Sequence, residues 1–143
     1  MTRELENEKM ILRLLNQLHH RNIVPLLGSY THREEHYFLF PCIDMDLKRF
    51  FRQQNRFGKF QRDFTFYSAL RGLSSALSNT HLLRLNQEAH GVDFEAIGYH
   101  HDIRPANILV NGRTFILADF GLVNLKPVRL PPPPLTGQDL AGY

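Results

Sequence analysis

The sequence predicts an α+β fold, and three segments carry that expectation. Residues 4–18 place Ile11, Leu14, Leu15 and Leu18 at the i, i+3, i+4, i+7 spacing of an amphipathic helix. Residues 65–83 show the same period more strongly, with Phe66, Ala69, Leu70, Leu73, Ala76 and Leu77 on one face. ILV (108–110) and TFILAD (114–119) flank Asn111-Gly112, a pair that supplies the positive φ a tight β-turn requires. A length of 143 residues suits one domain, and 43% hydrophobic with 22% charged residues is a globular composition, too apolar for wholesale disorder.

In chain order, the first helix carries an acid on its apolar side. At about 100° per residue, Glu8 lies with Ile11, Leu12 and Leu15, while Glu6 points away. Such an acid must find a partner, because an unpaired buried charge is costly. Glu4 shares the face and is a rival candidate. His19, His20, Arg21 and Asn22 end the helix. IVPLLGSY (23–30) and HYFLF (36–40) read as two strands joined by a polar loop of moderate length over 31–35. Pro41 interrupts, and residues 41–44 read as an extended connector. Asp46 reads as the N-cap of a short helix bearing Leu47, Phe50 and Phe51. The basic, aromatic stretch 53–64 reads as a solvated loop with buried Phe anchors. Segment 84–98 has no period and reads as a surface loop. Beyond residue 121 the patterning fades, and the prolines at 131–134 read as an extended linker.

Several classes are excluded. The net charge is +3 with no Lys/Arg run, so no nucleic-acid partner is expected. No apolar stretch reaches the roughly 18 residues of a membrane helix, and the first ten residues lack a signal-peptide core. The single cysteine, Cys42, rules out an internal disulfide and a Cys-based zinc site. An intracellular, cytoplasmic location is expected. No internal repeat and no Gly-rich phosphate loop occurs in the sequence.

The chemistry concentrates in residues 99–121, YHHDIRPANILVNGRTFILADFG. Asp102 and Asn107 are five apart in a loop that Pro105 keeps from being an ordinary helix. The hairpin brings residue 107 back near Asp119, so an amide and a carboxylate meet at one end of a β-ribbon. Oxygen ligands of this kind suit Mg²⁺, which commonly completes its shell with water and substrate phosphates. Asp102 is then available to a substrate hydroxyl. Arg104 supplies a fixed positive charge against a transferring phosphoryl group.

HHDIRPANILV followed by ADFG resembles the catalytic loop and metal-binding segment of eukaryotic protein kinases. His100, Asp102, Asn107, Asp119, Phe120 and Gly121 match H-R-D-x-x-x-x-N and D-F-G. HRNIVPLLG (20–28) is similar to the stretch after the family's αC helix, and HYFLFPCIDMDL (36–47) to its fifth strand, hinge and αD start. The resemblance implies a kinase-like two-lobe fold, ATP and Mg²⁺ as cofactors, and a protein Ser/Thr substrate. It implies that Asp102 accepts or orients the hydroxyl proton, that Asn107 and Asp119 hold Mg²⁺, and that Arg104 stands beside the γ-phosphate. A basic residue two after the Asp fits the Ser/Thr pattern. The resemblance further places the Pro41 carbonyl and Ile43 amide at adenine, Asp46 at ribose, Leu109 under the adenine ring and Phe40 as gatekeeper. His100 and Phe120 would stack in the spine linking the lobes, and Glu8 would be the αC glutamate.

The pattern also has departures. His101 replaces the Arg of H-R-D, which puts control by activation-loop phosphorylation in doubt, although Thr136 lies where a phosphosite could stand. The segment between His81 and His100 is longer than the family's, as in kinase-like domains of filamentous fungi. The sequence starts at αC, contains no G-x-G-x-x-G or third-strand Lys, and ends where A-P-E is expected. By resemblance it is the middle of a domain: residues 1–40 a partial N-lobe, 41–46 the hinge, and 47–143 a partial C-lobe. Such a chain is expected to have little activity alone and to leave the apolar face of helix 65–83 open to water. A non-catalytic binding or scaffold module is the alternative. Small-molecule kinases of the aminoglycoside or choline type share the loop, but Phe120-Gly121 and HRNIV favour the protein kinases.

Overall fold

The computed structural model describes residues 2–53, 58, 60, 63–87 and 92–128. Helix α1, Arg3–Asn16, begins at Thr2, whose Oγ1 accepts from the Leu5 N–H at 3.4 Å. It buries Ile11, Leu12 and Leu15, the stripe its spacing predicts. The chain then turns through His19, which has a φ of 49°.

The next segment departs from expectation. Residues 23–27 are not part of a hairpin strand. Ile23 instead forms a parallel bridge to Leu117. The Leu117 N–H donates to the Asn22 carbonyl at 2.8 Å, and the Val24 N–H donates to the Leu117 carbonyl at 2.9 Å. Asn16 takes both backbone groups of Leu26, donating from Nδ2 at 2.7 Å and accepting at Oδ1 at 2.9 Å. At the end of the stretch the Leu27 N–H donates to the Leu39 carbonyl at 2.8 Å, where the hairpin begins. The hairpin proper is β1, Gly28–His32, with β2, Glu35–Leu39. Its turn is the pair Arg33-Glu34, at φ 46° and 68°, rather than a loop of moderate length. Two consecutive positive φ values match the right-handed twist of the flanking strands. Tyr30 and Tyr37 face each other across it, stacked at 4.9 Å.

A second sheet has the order β3-β6-β7, with β3 Met45–Asp46, β6 Ile108–Asn111 and β7 Thr114–Leu117. Asp46 caps α2, Leu47–Arg52, as predicted: its Oδ1 accepts from the Arg49 N–H at 2.8 Å. The β6–β7 hairpin is where the sequence places it, shifted by one residue. Asn111 pairs with Thr114, so the turn is Gly112-Arg113, and Gly112 alone supplies the positive φ of 59°.

Helix α3, Asp63–His81, lies over β7. Phe115 of β7 is fully buried, with the rings of Phe50, Phe60 and Phe66 at 6.4, 5.7 and 6.0 Å. The predicted α3 face is therefore largely covered rather than left in water. Ala69 and Ala76 are buried and Phe66, Leu70, Leu73 and Leu77 pack on the core, while the exposed apolar side chains of this helix are Phe64 and Tyr67, at 76% and 67%.

The largest correction concerns residues 84–98 and those beyond 121. They form a third sheet of order β4-β5-β8: Leu82–Gln87, Val92–Tyr99 and Asn124–Pro127. Leu83, Leu85 and Ala96 turn inward while Arg84, Ile97 and Tyr99 face out. At Gly98 a Cβ would stand 2.4 Å from the Thr80 carbonyl oxygen, so only glycine lets β5 lie this close to the end of α3. The prolines at 131–134, Thr136 and most of the 53–64 stretch lie outside the described residues.

Candidate functional site

The site is built at the open end of the β6–β7 ribbon. Ile108 pairs with Leu117, and the Ala118 N–H donates to the Asn107 carbonyl at 2.9 Å. Asn107 and Asp119 therefore leave the ribbon at the same end. A 3₁₀ turn, Pro105–Asn107, delivers Asn107 into the first strand, and Pro105 sits where its missing N–H costs nothing.

Asn107 is 7% exposed. Its Nδ2 donates twice to Asp102, to the carbonyl at 3.0 Å and to Oδ2 at 2.9 Å. Both amide protons are thus committed to one residue. The amide oxygen is turned the other way and has no protein partner among the described residues. The remaining carboxylate oxygen of Asp102 meets the Arg104 Nε at 3.3 Å. Asp102 is consequently held from both sides, by an amide and by a half-solvated cation.

Asp119 has a φ of 58° and His101 a φ of 64°. Left-handed backbone is unfavourable for residues with a Cβ, and Asp is one of the few that tolerates it. One Asp119 oxygen accepts from the Gly121 N–H at 3.4 Å. Between these two bent residues stands His100, 2% exposed. Its Nε2 donates to the Ala118 carbonyl at 2.9 Å, and its Nδ1 accepts from the Asp102 N–H at 3.3 Å. That pair of bonds fits only the neutral ring with its proton on Nε2. Burial lowers the His100 pKa and outweighs the raising influences of the Ala118 carbonyl, Asp119 and Asp102. The Phe120 ring meets His100 edge-on at 5.0 Å, the contact expected of the pair. His100 thereby ties the loop of Asp102 to the segment of Asp119.

Of the two rival acids on α1, Glu8 is half-buried and near Asp119, and Glu4 is exposed. A Cβ on Gly121 would lie 3.5 Å from an Asp119 oxygen and 3.7 Å from a Glu8 oxygen, so this glycine fills the gap between the two carboxylates. Burial, and then the negative charge of Asp119, raise the Glu8 pKa. Among the described residues no Lys or Arg forms an ion pair with Glu8.

The remaining predicted residues stand in two groups. Asp46 and Leu109 are cross-strand partners in the β3–β6 pairing, and Asp46 already spends one oxygen on its cap. Pro41 and Ile43 lie in the extended connector. Their side chains line a cavity of about 500 Å³ with Leu15, Ile23, Val24 and Ile116. The Pro41 carbonyl and Ile43 N–H have no backbone partner among the described residues, which leaves them open to a planar ligand edge. Phe40 is exposed.

Asn22 is the residue whose role sequence reasoning missed. It is buried, and its Nδ2 donates to the Phe115 carbonyl at 2.8 Å. With its backbone bond to Leu117 it fastens the end of α1 to the ribbon that carries the site. The signal was present: a lone amide entering an apolar run, to be paired once buried.

The donors at the ribbon end are one carboxylate and one amide oxygen, hard ligands that suit Mg²⁺ with a shell completed by water and phosphate. Among the described residues no group of three or more His, Cys, Asp or Glu could hold a metal by itself. A family model described as protein kinase domain matches residues 2–127. The chain belongs to the protein kinase domain family. The match takes in every element described, from α1 to β8. Kinase domains as a family use ATP with Mg²⁺ to phosphorylate proteins. Among the described residues of this one, no helix is long and apolar enough to cross a membrane.

Proposed function

We propose that this kinase domain transfers the γ-phosphoryl group of ATP to a Ser or Thr hydroxyl of a protein. Residues 1–40 would then belong to the N-lobe, 41–46 to the hinge and 47–143 to the C-lobe. The observation that carries the reading is Asn107, whose amide protons both go to Asp102 while its amide oxygen has no protein partner among the described residues and its backbone carbonyl bonds Ala118, the residue before Asp119. That arrangement couples a residue suited to receiving a proton with a pair suited to holding Mg²⁺.

Asn107 and Asp119 would hold Mg²⁺, which when bound would neutralise charge on the phosphates. Asp102 orients the acceptor hydroxyl and takes its proton as the new O–P bond forms and the bond to the ADP oxygen breaks. The Asn107 and Arg104 contacts fix the carboxylate so that little reorganisation is needed at that moment. Arg104, at the Ser/Thr-type position, opposes the charge of the transferring group. The Pro41 carbonyl and Ile43 N–H receive the adenine edge, Leu109 lies beneath it, and the second Asp46 oxygen reaches the ribose.

A second reading, a non-catalytic module, draws support from Glu8. It faces Asp119 with no cation paired to it among the described residues, whereas phosphoryl transfer in this family uses a Lys at the αC glutamate. A thermal-shift titration with ATP, with and without Mg²⁺, separates the two. The catalytic reading expects a Mg²⁺-dependent shift that Asp119→Asn abolishes; a shift indifferent to Mg²⁺, or none, refutes it. Phosphorylation of a generic protein acceptor by this chain alone is expected to be weak and lost in Asp102→Asn.

A further inference from the structure

A cavity of about 580 Å³ lies at the other end of the same ribbon, where α3, the turn after α1 and the β6–β7 turn meet. Three arginines line it: Arg21, Arg71 and Arg113. They come from segments far apart in sequence, so the fold itself gathers them. Among the described residues no Asp or Glu lines the cavity. Among the described residues none of the three forms an ion pair. Among those residues Arg21 meets only the neutral Thr114 hydroxyl, at 3.5 Å.

The walls are held in place by neutral groups. Ser68, Arg71, Gly72 and Ser75 follow the i, i+3, i+4, i+7 spacing, which turns a hydroxyl-rich stripe of α3 into the cavity. Gly72 allows Asn22 to seat against the helix, since a Cβ there would lie 2.4 Å from Asn22 Nδ2. His20 bridges the two walls: Nδ1 accepts from the Asn22 N–H at 3.1 Å, leaving Nε2 to donate to Ser75 Oγ at 3.0 Å. Burial lowers its pKa, in keeping with this neutral role.

Three arginines lining one cavity with no counter-charge among the described residues repel one another, and among those residues their donors are largely unspent. Planar guanidinium donors match phosphate oxygens bidentately. The volume falls within the range of small-molecule pockets. We infer that this cavity binds a small, multiply phosphorylated molecule, with Arg21, Arg71 and Arg113 on its phosphates and the α3 hydroxyls as added donors. The site is independent of the proposed phosphoryl-transfer centre and needs no Mg²⁺.

The test is isothermal titration of the full chain with tripolyphosphate in EDTA, at two salt concentrations. One site is expected, weakening steeply as salt rises. The double variant Arg71→Gln/Arg113→Gln should weaken binding at least tenfold, at about tenfold per strong charged contact. Arg71→Lys/Arg113→Lys keeps the charge and should recover part of that loss, which separates a binding defect from a folding defect. Asp119→Asn should leave the affinity unchanged even if the catalytic reading is wrong. Equal affinity in the Gln variant overturns the inference. So does inorganic phosphate binding as tightly as tripolyphosphate, or a doubly phosphorylated peptide binding more tightly than either.

Discussion

Replacing His100 by Phe tests the joint that holds the site together. The substitution keeps a flat ring against Phe120 and removes both hydrogen bonds, to the Ala118 carbonyl and from the Asp102 N–H. At about 1 kcal/mol for each such bond, the variant should lose about 2 kcal/mol at pH 8. With a urea dependence of about 2 kcal/mol per molar, its unfolding midpoint should fall by about 1 M. The pH dependence gives a sharper check. The folded-state pKa of His100 is lowered, so its contribution is fully present above the unfolded value near 6.5 and is lost as pH falls through the folded value. The gap between wild type and variant should therefore narrow from pH 8 to pH 5. His20, also lowered, is present in both proteins and cancels in the difference. Equilibrium urea unfolding followed by circular dichroism at low micromolar concentration measures both quantities. A gap that is constant with pH, or absent at pH 8, would refute the assignment of a neutral, doubly bonded ring.

Further outcomes follow from single contacts. Gly72→Ala should cost about 1–3 kcal/mol in the same urea assay, because its Cβ displaces Asn22 and leaves the buried Phe115 carbonyl unpaired. Glu8→Gln should raise stability at pH 7 by under about 1 kcal/mol, since the pair with Asp119 is half-solvated and screened. The raised Glu8 pKa means that the penalty appears as pH rises through the folded value, so no gain is expected below the unfolded value of 4.5. Glu34→Gly should stabilise the β1–β2 hairpin by about 1 kcal/mol, as its φ of 68° is left-handed. The exposed Phe64, Tyr67, Leu27 and Leu122 should make heating irreversible, and a reversible calorimetric melt of the monomer would contradict that.

The parts of the fold that the sequence makes legible are those whose signal is local. The stripe of α1, the Asp46 cap and the hairpin about Gly112 each rest on a period or a residue with a fixed backbone preference. Asp102, Asn107 and Asp119 were readable because loop, hairpin and acid follow one another within 18 positions. What escaped depends on distant partners. Residues 84–98 become a hairpin because Leu83, Leu85 and Ala96 find α3, and Gly98 permits the approach. Residues 124–127 become a strand because β5 offers an edge. Ile23, Val24 and Leu26 have strand-like side chains, but Leu117 takes the Val24 N–H and Asn16 takes both backbone groups of Leu26. Helix geometry alone leaves Glu8 and Glu4 as rivals on one face, and the closeness of Glu8 to Gly121 and Asp119 is the tertiary fact that separates them.

The β6–β7 ribbon also explains why net charge was uninformative. Its strands are four residues long, about 13 Å at the usual rise. At one end stand Asp102, Asp119 and Glu8, with Arg104 the cation paired to Asp102; at the other stand Arg21, Arg71 and Arg113. A sum of +3 over the chain conceals this separation. The buried core between the ends excludes water and ions, so neither cluster can neutralise the other by moving toward it. The acidic end therefore calls for a cation and the basic end for an anion, and a single ligand cannot satisfy both. Rising ionic strength should relieve repulsion within each cluster and so stabilise the fold, while weakening whatever anion the arginines hold. A chain whose stability fell with salt would show that attraction across the ribbon, rather than repulsion at its ends, governs its electrostatics.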